Sequence, residues 1–161
     1  MTSIDLYTDA SYAQHKAPKH FGIGMFMIDY ADDEKEYQHG QRVQFAHITN
    51  KIKQKYQHKI KGNLTLFELH AIVEGIRWTI KQTNKRESIE EIRIYTDSLN
   101  VVECYHGLVE HPMFTGYTKS LKHQIEGIEK TNNLKITLSH IKAHCGVYGN
   151  TKADKLAKKR N

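Results

Sequence analysis

Cysteine is scarce in this chain. The two that occur, Cys104 and Cys145, lie far apart and in no CxxC pattern. That argues against a disulfide framework or a thiolate zinc cluster and makes a reducing, cytoplasmic setting the simplest expectation. No stretch approaches the roughly 18 consecutive apolar residues of a membrane span. The opening Met-Thr-Ser-Ile-Asp has neither the basic nor the apolar segment of a secretory leader, so no membrane partner is expected. Linkers, low-complexity tracts and internal domain repeats are also absent. The 161 residues are read as one domain, 1–161, long enough to bury a core. Acid is in the minority: 18 Asp and Glu face 24 Lys and Arg, a net charge of +6. The excess favours a polyanionic partner, nucleic acid or an anionic surface, without choosing between them. The 11 histidines add positive charge only as pH falls toward about 6.5.

What is present is a doubled tripeptide. Tyr7-Thr8-Asp9 follows Ile4-Asp5-Leu6, and Tyr95-Thr96-Asp97 follows Ile92-Arg93-Ile94. Each ends a short β-like run and precedes a small residue, Ala10 or Ser98. Strand ends are where α/β folds place chemistry, and two carboxylates delivered there can share a cation. Residues 21–30 and 37–45 read as two further strands, antiparallel to each other across a polar turn at 31–34. Segment 46–63 holds Lys51, Lys53, Lys55, Lys59 and Lys61 and no acid. It has no clear period, and its register stays open between loop, hairpin arm and strand extension. Leu69, Ile72, Val73, Ile76 and Ile80 then recur at helical spacing, predicting an amphipathic helix over 64–84. A strand at 91–97, a helix at 98–106 ending at Gly107, a helix at about 113–129 and a strand at 134–138 follow. Asn150 is expected to cap a C-terminal helix. The order is β-β-β-α-β-α-α-β-α.

Two more acids join the pair. Glu68 shares a helix face with Ala71, Ile72 and Gly75, small residues that imply close packing on a sheet, where an unpaired carboxylate is costly. Asp154 would lie one turn inside the last helix. Taken singly, a strand-end Asp is usually a turn residue, Glu68 a surface acid and Asp154 a response to the helix dipole. Together they define a site for a hard cation, which prefers oxygen ligands. His140, His144 and Cys145 offer a second grouping, but no fourth ligand stands at suitable spacing.

The chain resembles type 1 ribonuclease H over nearly its whole length. The blocks that carry the resemblance are Leu6-Tyr7-Thr8-Asp9-Ala10-Ser11, Phe67-Glu68-Leu69, Tyr95-Thr96-Asp97-Ser98, and Ile141-Lys142-Ala143-His144 with Asn150 and Ala153-Asp154. The resemblance implies an α/β ribonuclease H-like fold: a five-stranded mixed sheet of order 3-2-1-4-5 flanked by helices, with Asp9 and Asp97 on neighbouring parallel strands. It implies hydrolysis of the RNA strand of an RNA/DNA hybrid, giving 5′-phosphate and 3′-hydroxyl ends. The family's four catalytic, metal-binding acids fall on Asp9, Glu68, Asp97 and Asp154, and its mobile catalytic histidine on His144. Two Mg²⁺ ions are implied, with Mn²⁺ as a substitute. One would lie between Asp9 and Asp154 to activate water. The other would be held by Asp9, Glu68 and Asp97 to stabilise the leaving oxygen.

Substrate contacts are expected at Ser11, Asn63, Thr65, Ser98 and Asn150, and the protein is expected to act as a monomer. Three features depart from the family pattern. The turn at 12–20 carries Lys16, Pro18 and Lys19 but no glycine. Leu64, Thr65 and Leu66 stand where the family has amides. The segment 106–114 has no basic, tryptophan-containing protrusion. These bear on hybrid specificity more than on metal binding. Two other functions stay open on the sequence: a catalytically weak hybrid-binding module of the same fold, and a resolvase- or transposase-type nuclease.

Overall fold

A computed structural model describes residues 2–12, 20–49, 51–59, 63–83, 89–143 and 145–159. Five strands form one sheet: β1 (Ser3–Ser11), β2 (His20–Asp29), β3 (Lys35–Gln44), β4 (Glu91–Thr96) and β5 (Lys135–His140). Their order is β3-β2-β1-β4-β5. The first three form an antiparallel meander, whereas β4 runs parallel to both β1 and β5. Parallel neighbours need crossovers, and helices supply them: α2 (Leu64–Thr83) before β4, then α3 (Leu99–Tyr105) and α4 (Thr115–Asn132) before β5. A short α1 (Ala46–Thr49) follows β3, and α5 (Tyr148–Lys158) closes the chain. Both the fold class and the strand order agree with the expectation.

Alternation along β1 separates two faces. Ile4, Leu6 and Thr8 are fully buried toward α2, whose Gly75 comes so close that a Cβ there would stand 2.9 Å from the Thr8 methyl. This is the close packing that the small-residue face of the helix predicted. Phe21 of β2 and Phe67 of α2 stack at 4.2 Å between ring centroids, anchoring the start of α2 over the end of β1. On the opposite face, the Tyr7 ring abuts Gly149 of α5. A Cβ at Gly24 of β2 would collide with the Ala153 carbonyl, so glycine there lets α5 lie directly on the sheet.

Three expectations need adjustment. The described residues of segment 46–63 form no strand or hairpin arm: they form α1 and a 3-10 stretch, Gln54–Lys59, pinned by buried Ile48 and Ile52. Asn150 does not cap the last helix. Extended Val147 precedes Tyr148 with no side-chain cap, and Asn150 is buried within the first turn. Asp154 consequently sits in the second turn of α5, beyond the first-turn dipole effect invoked for it. The helix between β4 and β5 also begins two residues later than expected, at Thr115.

Candidate active site

Parallel pairing sets the two tripeptides side by side: Tyr7 is registered with Tyr95 and Thr8 with Thr96. The next residues, Asp9 and Asp97, therefore emerge together at the same sheet edge. Asp97 is the first residue past β4, and Ser98 after it caps α3, its Oγ accepting the Val101 N–H at 3.4 Å. Glu68 enters from α2, and the Ala10 N–H donates to both Asp9 Oδ1 (2.9 Å) and Glu68 Oε1 (3.2 Å). One carboxylate oxygen from each of Asp9, Glu68 and Asp97 lies within 4.8 Å of the others.

Two of these acids are buried and Asp97 is partly exposed. Asp9 is 4% exposed and Glu68 is 2% exposed. Glu68 Oε2 has no hydrogen-bond partner, and among the described residues neither Asp9 nor Glu68 forms an ion pair. Another buried acid on β1 provides the contrast: Asp5 accepts from Arg93 Nε at 2.6 Å. At an effective dielectric of about 20, like charges at such separations repel by about 3–4 kcal/mol per pair. Burial accordingly pushes Asp9 from its ordinary 3.8 up to about 7, and the Asp97 charge adds to the rise. Burial, followed by the charge of Asp9, raises Glu68 well above the usual carboxylate range. Burial and mutual repulsion thus favour a protonated form of the metal-free pair.

The trio opens into a cavity of about 760 Å³, whose wall also includes Ser11, Thr65, Ser98, Asp154 and Lys158. Asp154 joins from α5. Its carboxyl interacts with Asp9 and contributes to the raised Asp9 value, and its Oδ2 accepts from Lys158 Nζ at 3.0 Å. It stands outside the convergent trio. The other expected substrate contacts separate into two groups. Ser11, Thr65 and Ser98 line the cavity. Asn63 instead caps α2, its Oδ1 accepting the Leu66 N–H at 3.2 Å, and Asn150 is buried within the first turn of α5. His144 and the turn bearing Lys16, Pro18 and Lys19 lie outside the described residues. Neighbouring Ala143 is on the cavity wall, and Cys145 is an exposed free thiol.

Several cavity residues were not singled out by sequence reasoning. Tyr12 lines the wall and packs edge-on against Phe45 and Phe67. Lys158 had a legible signal, its i,i+4 spacing from Asp154. Leu64 and Leu99 are half-exposed on the rim. Buried His70, by contrast, is a packing residue: burial takes its pKa down to about 4, and it meets Phe21 edge-on.

The donor set fits a hard divalent cation. It consists of oxygen only, three carboxylates converge, and one buried oxygen lacks a donor. A cation there would relieve the repulsion and satisfy Glu68 Oε2.

Comparison with known proteins bears on the fold and the family. Among solved structures, RNase H1 from the halophilic archaeon Halobacterium salinarum NRC-1 superposes with a TM-score of 0.63 at 13% identity, covering 96% of this chain and 94% of that one. LC11-RNase H1, isolated from compost by a metagenomic approach, gives 0.62 at 16% identity over 97% and 93%. The same enzyme in complex with an RNA/DNA hybrid gives 0.58 at 12% over 96% of each chain. These likenesses establish the fold. No match was found among curated proteins. The family model for RNase H matches residues 1–161, so the chain belongs to the RNase H family.

Proposed function

We propose that this protein is an endonuclease that hydrolyses the RNA strand of RNA/DNA hybrids, leaving 5′-phosphate and 3′-hydroxyl ends. The observation that carries the proposal is the convergence of Asp9, Glu68 and Asp97 within 4.8 Å at a strand-end cavity, in a chain of the RNase H family. A binding module has no use for buried acids aimed at a polyanion, whereas a cation-assisted hydrolase requires them. Asp9, Glu68, Asp97 and Asp154 would hold two divalent cations, Mg²⁺ or Mn²⁺. When bound, such ions polarise the phosphodiester and lower the pKa of water.

The chain's own residues have separate tasks. The Ala10 N–H fixes the rotamers of Asp9 and Glu68, keeping their oxygens convergent. The hydroxyls of Ser11, Thr65 and Ser98 on the cavity wall would contact the strand, and His144 would exchange a proton with reactant or product. Lys51, Lys53, Lys55 and Lys59 are exposed and add to a net charge of +6, which favours a polyanionic substrate. The same reading takes residues 1–161 as one catalytic domain that works as a monomer in a reducing cytoplasm.

The test is cleavage of an end-labelled RNA/DNA hybrid with Mg²⁺, beside RNA/RNA, DNA/DNA and single-stranded RNA, with EDTA as control. Cleavage confined to the RNA of the hybrid, and lost in EDTA, is expected. Hybrid binding without cleavage would assign a binding module instead, and cleavage of plain DNA duplex would assign a different nuclease class.

A further inference from the structure

A second cavity, of about 320 Å³, shares no lining residue with the first. Its wall includes Arg77 of α2, Gly116, Tyr117, Ser120 and Gln124 of α4, and Lys51. Arg77 stands nine residues beyond Glu68, about 13 Å further along the same helix. Tyr117 marks the cavity. It is 5% exposed, yet its hydroxyl has no hydrogen-bond partner, which a buried phenol rarely tolerates. Burial first and the Glu74 charge second push its pKa up, so the hydroxyl stays protonated and faces the α2 side, near Glu74. That acid is already engaged, accepting from Arg77 Nη1 at 2.9 Å, and the rest of the guanidinium is left to donate. Ser120 Oγ accepts from Gln124 Nε2 at 3.3 Å, which leaves its own O–H as a donor. Phe114 gives α4 no side-chain cap, so the N–H groups of its first turn, Gly116 among them, are orphaned. Lys51 is exposed and unpaired among the described residues. Its backbone is fixed, the N–H donating to Ile48 O at 3.0 Å beside buried Ile52, and its charge reaches α2, where it helps to hold His70 neutral.

We propose that this second cavity is a phosphate-binding site, with the Tyr117 hydroxyl as its buried donor and Lys51 as its free charge. Donors and cations dominate the wall: an ammonium, a phenol, a serine hydroxyl and first-turn N–H groups. They arrive from three separate elements, so a phosphate, with three or four oxygens, satisfies them better than a carboxylate with two. The helix N-terminus adds favourable potential. The volume lies at the lower end of the range usual for small-ligand sites and admits the sugar that carries a phosphate. The group recognised is the phosphate itself, borne by a free anion or nucleotide or by a polynucleotide backbone. Because the Tyr117 hydroxyl bonds to nothing in the unliganded protein, its contribution is to binding and not to folding.

The test is titration of inorganic phosphate, AMP and a short single-stranded oligodeoxynucleotide into isotopically labelled protein, followed by amide NMR at constant ionic strength, in wild type, Tyr117→Phe and Lys51→Met. EDTA is present throughout, so the result is independent of the acid cluster and of the hydrolysis assay. Wild type is expected to show saturable shifts at the amides of Gly116, Tyr117 and Ser120, and a phosphate-dependent rise in Tm. Tyr117→Phe keeps the ring and should melt no lower than wild type without phosphate, but should bind phosphate about tenfold more weakly. Lys51→Met should weaken binding about fivefold. Shifts from the oligonucleotide that weaken in Tyr117→Phe assign a polynucleotide backbone as the source, and shifts from phosphate and AMP alone assign a free anion. Absence of saturable shifts with all three, or equal affinity in Tyr117→Phe, overturns the proposal. So does a ligand-free Tyr117→Phe that melts well below wild type, since the hydroxyl would then serve the fold.

Discussion

Replacing Asp9 with Asn should stabilise the metal-free protein while removing its response to Mg²⁺. Asn retains an Oδ1 that can accept the Ala10 N–H now bound at 2.9 Å, so the variant changes charge more than shape. In wild type, burial raises Asp9 from 3.8 to about 7. The folded state therefore holds this proton more tightly than the unfolded chain does, and stability is lost as pH rises from about 4 through about 7. At 1.36 kcal/mol per pH unit, the advantage of Asp9→Asn should widen by about 2–3 kcal/mol between pH 5 and pH 8. For a chain of this size that corresponds to about 5–10 °C in Tm. Glu68 is raised as well, by burial first and the Asp9 charge second, so the titration belongs to the pair and not to Asp9 alone. The contribution of buried His70 is common to both proteins and cancels. Thermal melts in EDTA at pH 5, 6, 7 and 8 measure the gap, and repetition with Mg²⁺ should raise the Tm of wild type but not of the variant. A gap that stays constant with pH, or a variant less stable than wild type at pH 8, would refute the claim that these carboxylates repel one another in a desolvated site.

Three further outcomes are expected. Replacing Lys53, Lys55 and Lys59 with Ala should raise KM with little change in kcat, and should lower the salt slope of binding by about one unit for each lysine that reaches a phosphate; an unchanged slope in a salt titration would make this segment a solvated basic loop. Gly24→Ala should destabilise the fold by about 1–3 kcal/mol in denaturant melts, because its methyl would collide with the Ala153 carbonyl, and by lifting α5 it should weaken Mn²⁺ binding that depends on Asp154. His144→Ala should lower kcat by about a hundredfold while leaving the Mg²⁺-induced rise in Tm intact; loss of that rise would make His144 a ligand.

The parts of the fold that could be read from the chain are those where one local period coincides with one burial pattern. The Tyr-Thr-Asp runs alternate cleanly, and their parallel register sets Asp9 beside Asp97 as the resemblance implied. The face of α2 was legible because Gly75 and its apolar neighbours repeat at helical spacing. Segment 46–63 was not, since its hold on the core comes from two isolated anchors, Ile48 and Ile52, in a lysine-rich stretch with no sustained period. Asn150 misled for a related reason. Its residue type favours a cap, but tertiary packing of Gly149 on Tyr7 starts the helix earlier and buries Asn150 inside it. In the site, acids at strand ends were visible as types and spacings. The Asp154–Lys158 pair was overlooked because Lys158 sits in a run of C-terminal basic residues that resembles an ordinary solvated helix end.

The central claim is that the Asp9–Glu68–Asp97 cluster performs the hydrolysis. Its most direct test is single-turnover cleavage of an RNA/DNA hybrid by wild type and Asp97→Asn at saturating Mg²⁺, with circular dichroism melts to confirm that both are folded. The account predicts cleavage of the RNA strand alone by wild type, with 5′-phosphate and 3′-hydroxyl ends, and loss of that cleavage in a folded variant. Cleavage by Asp97→Asn at a rate near that of wild type would contradict it.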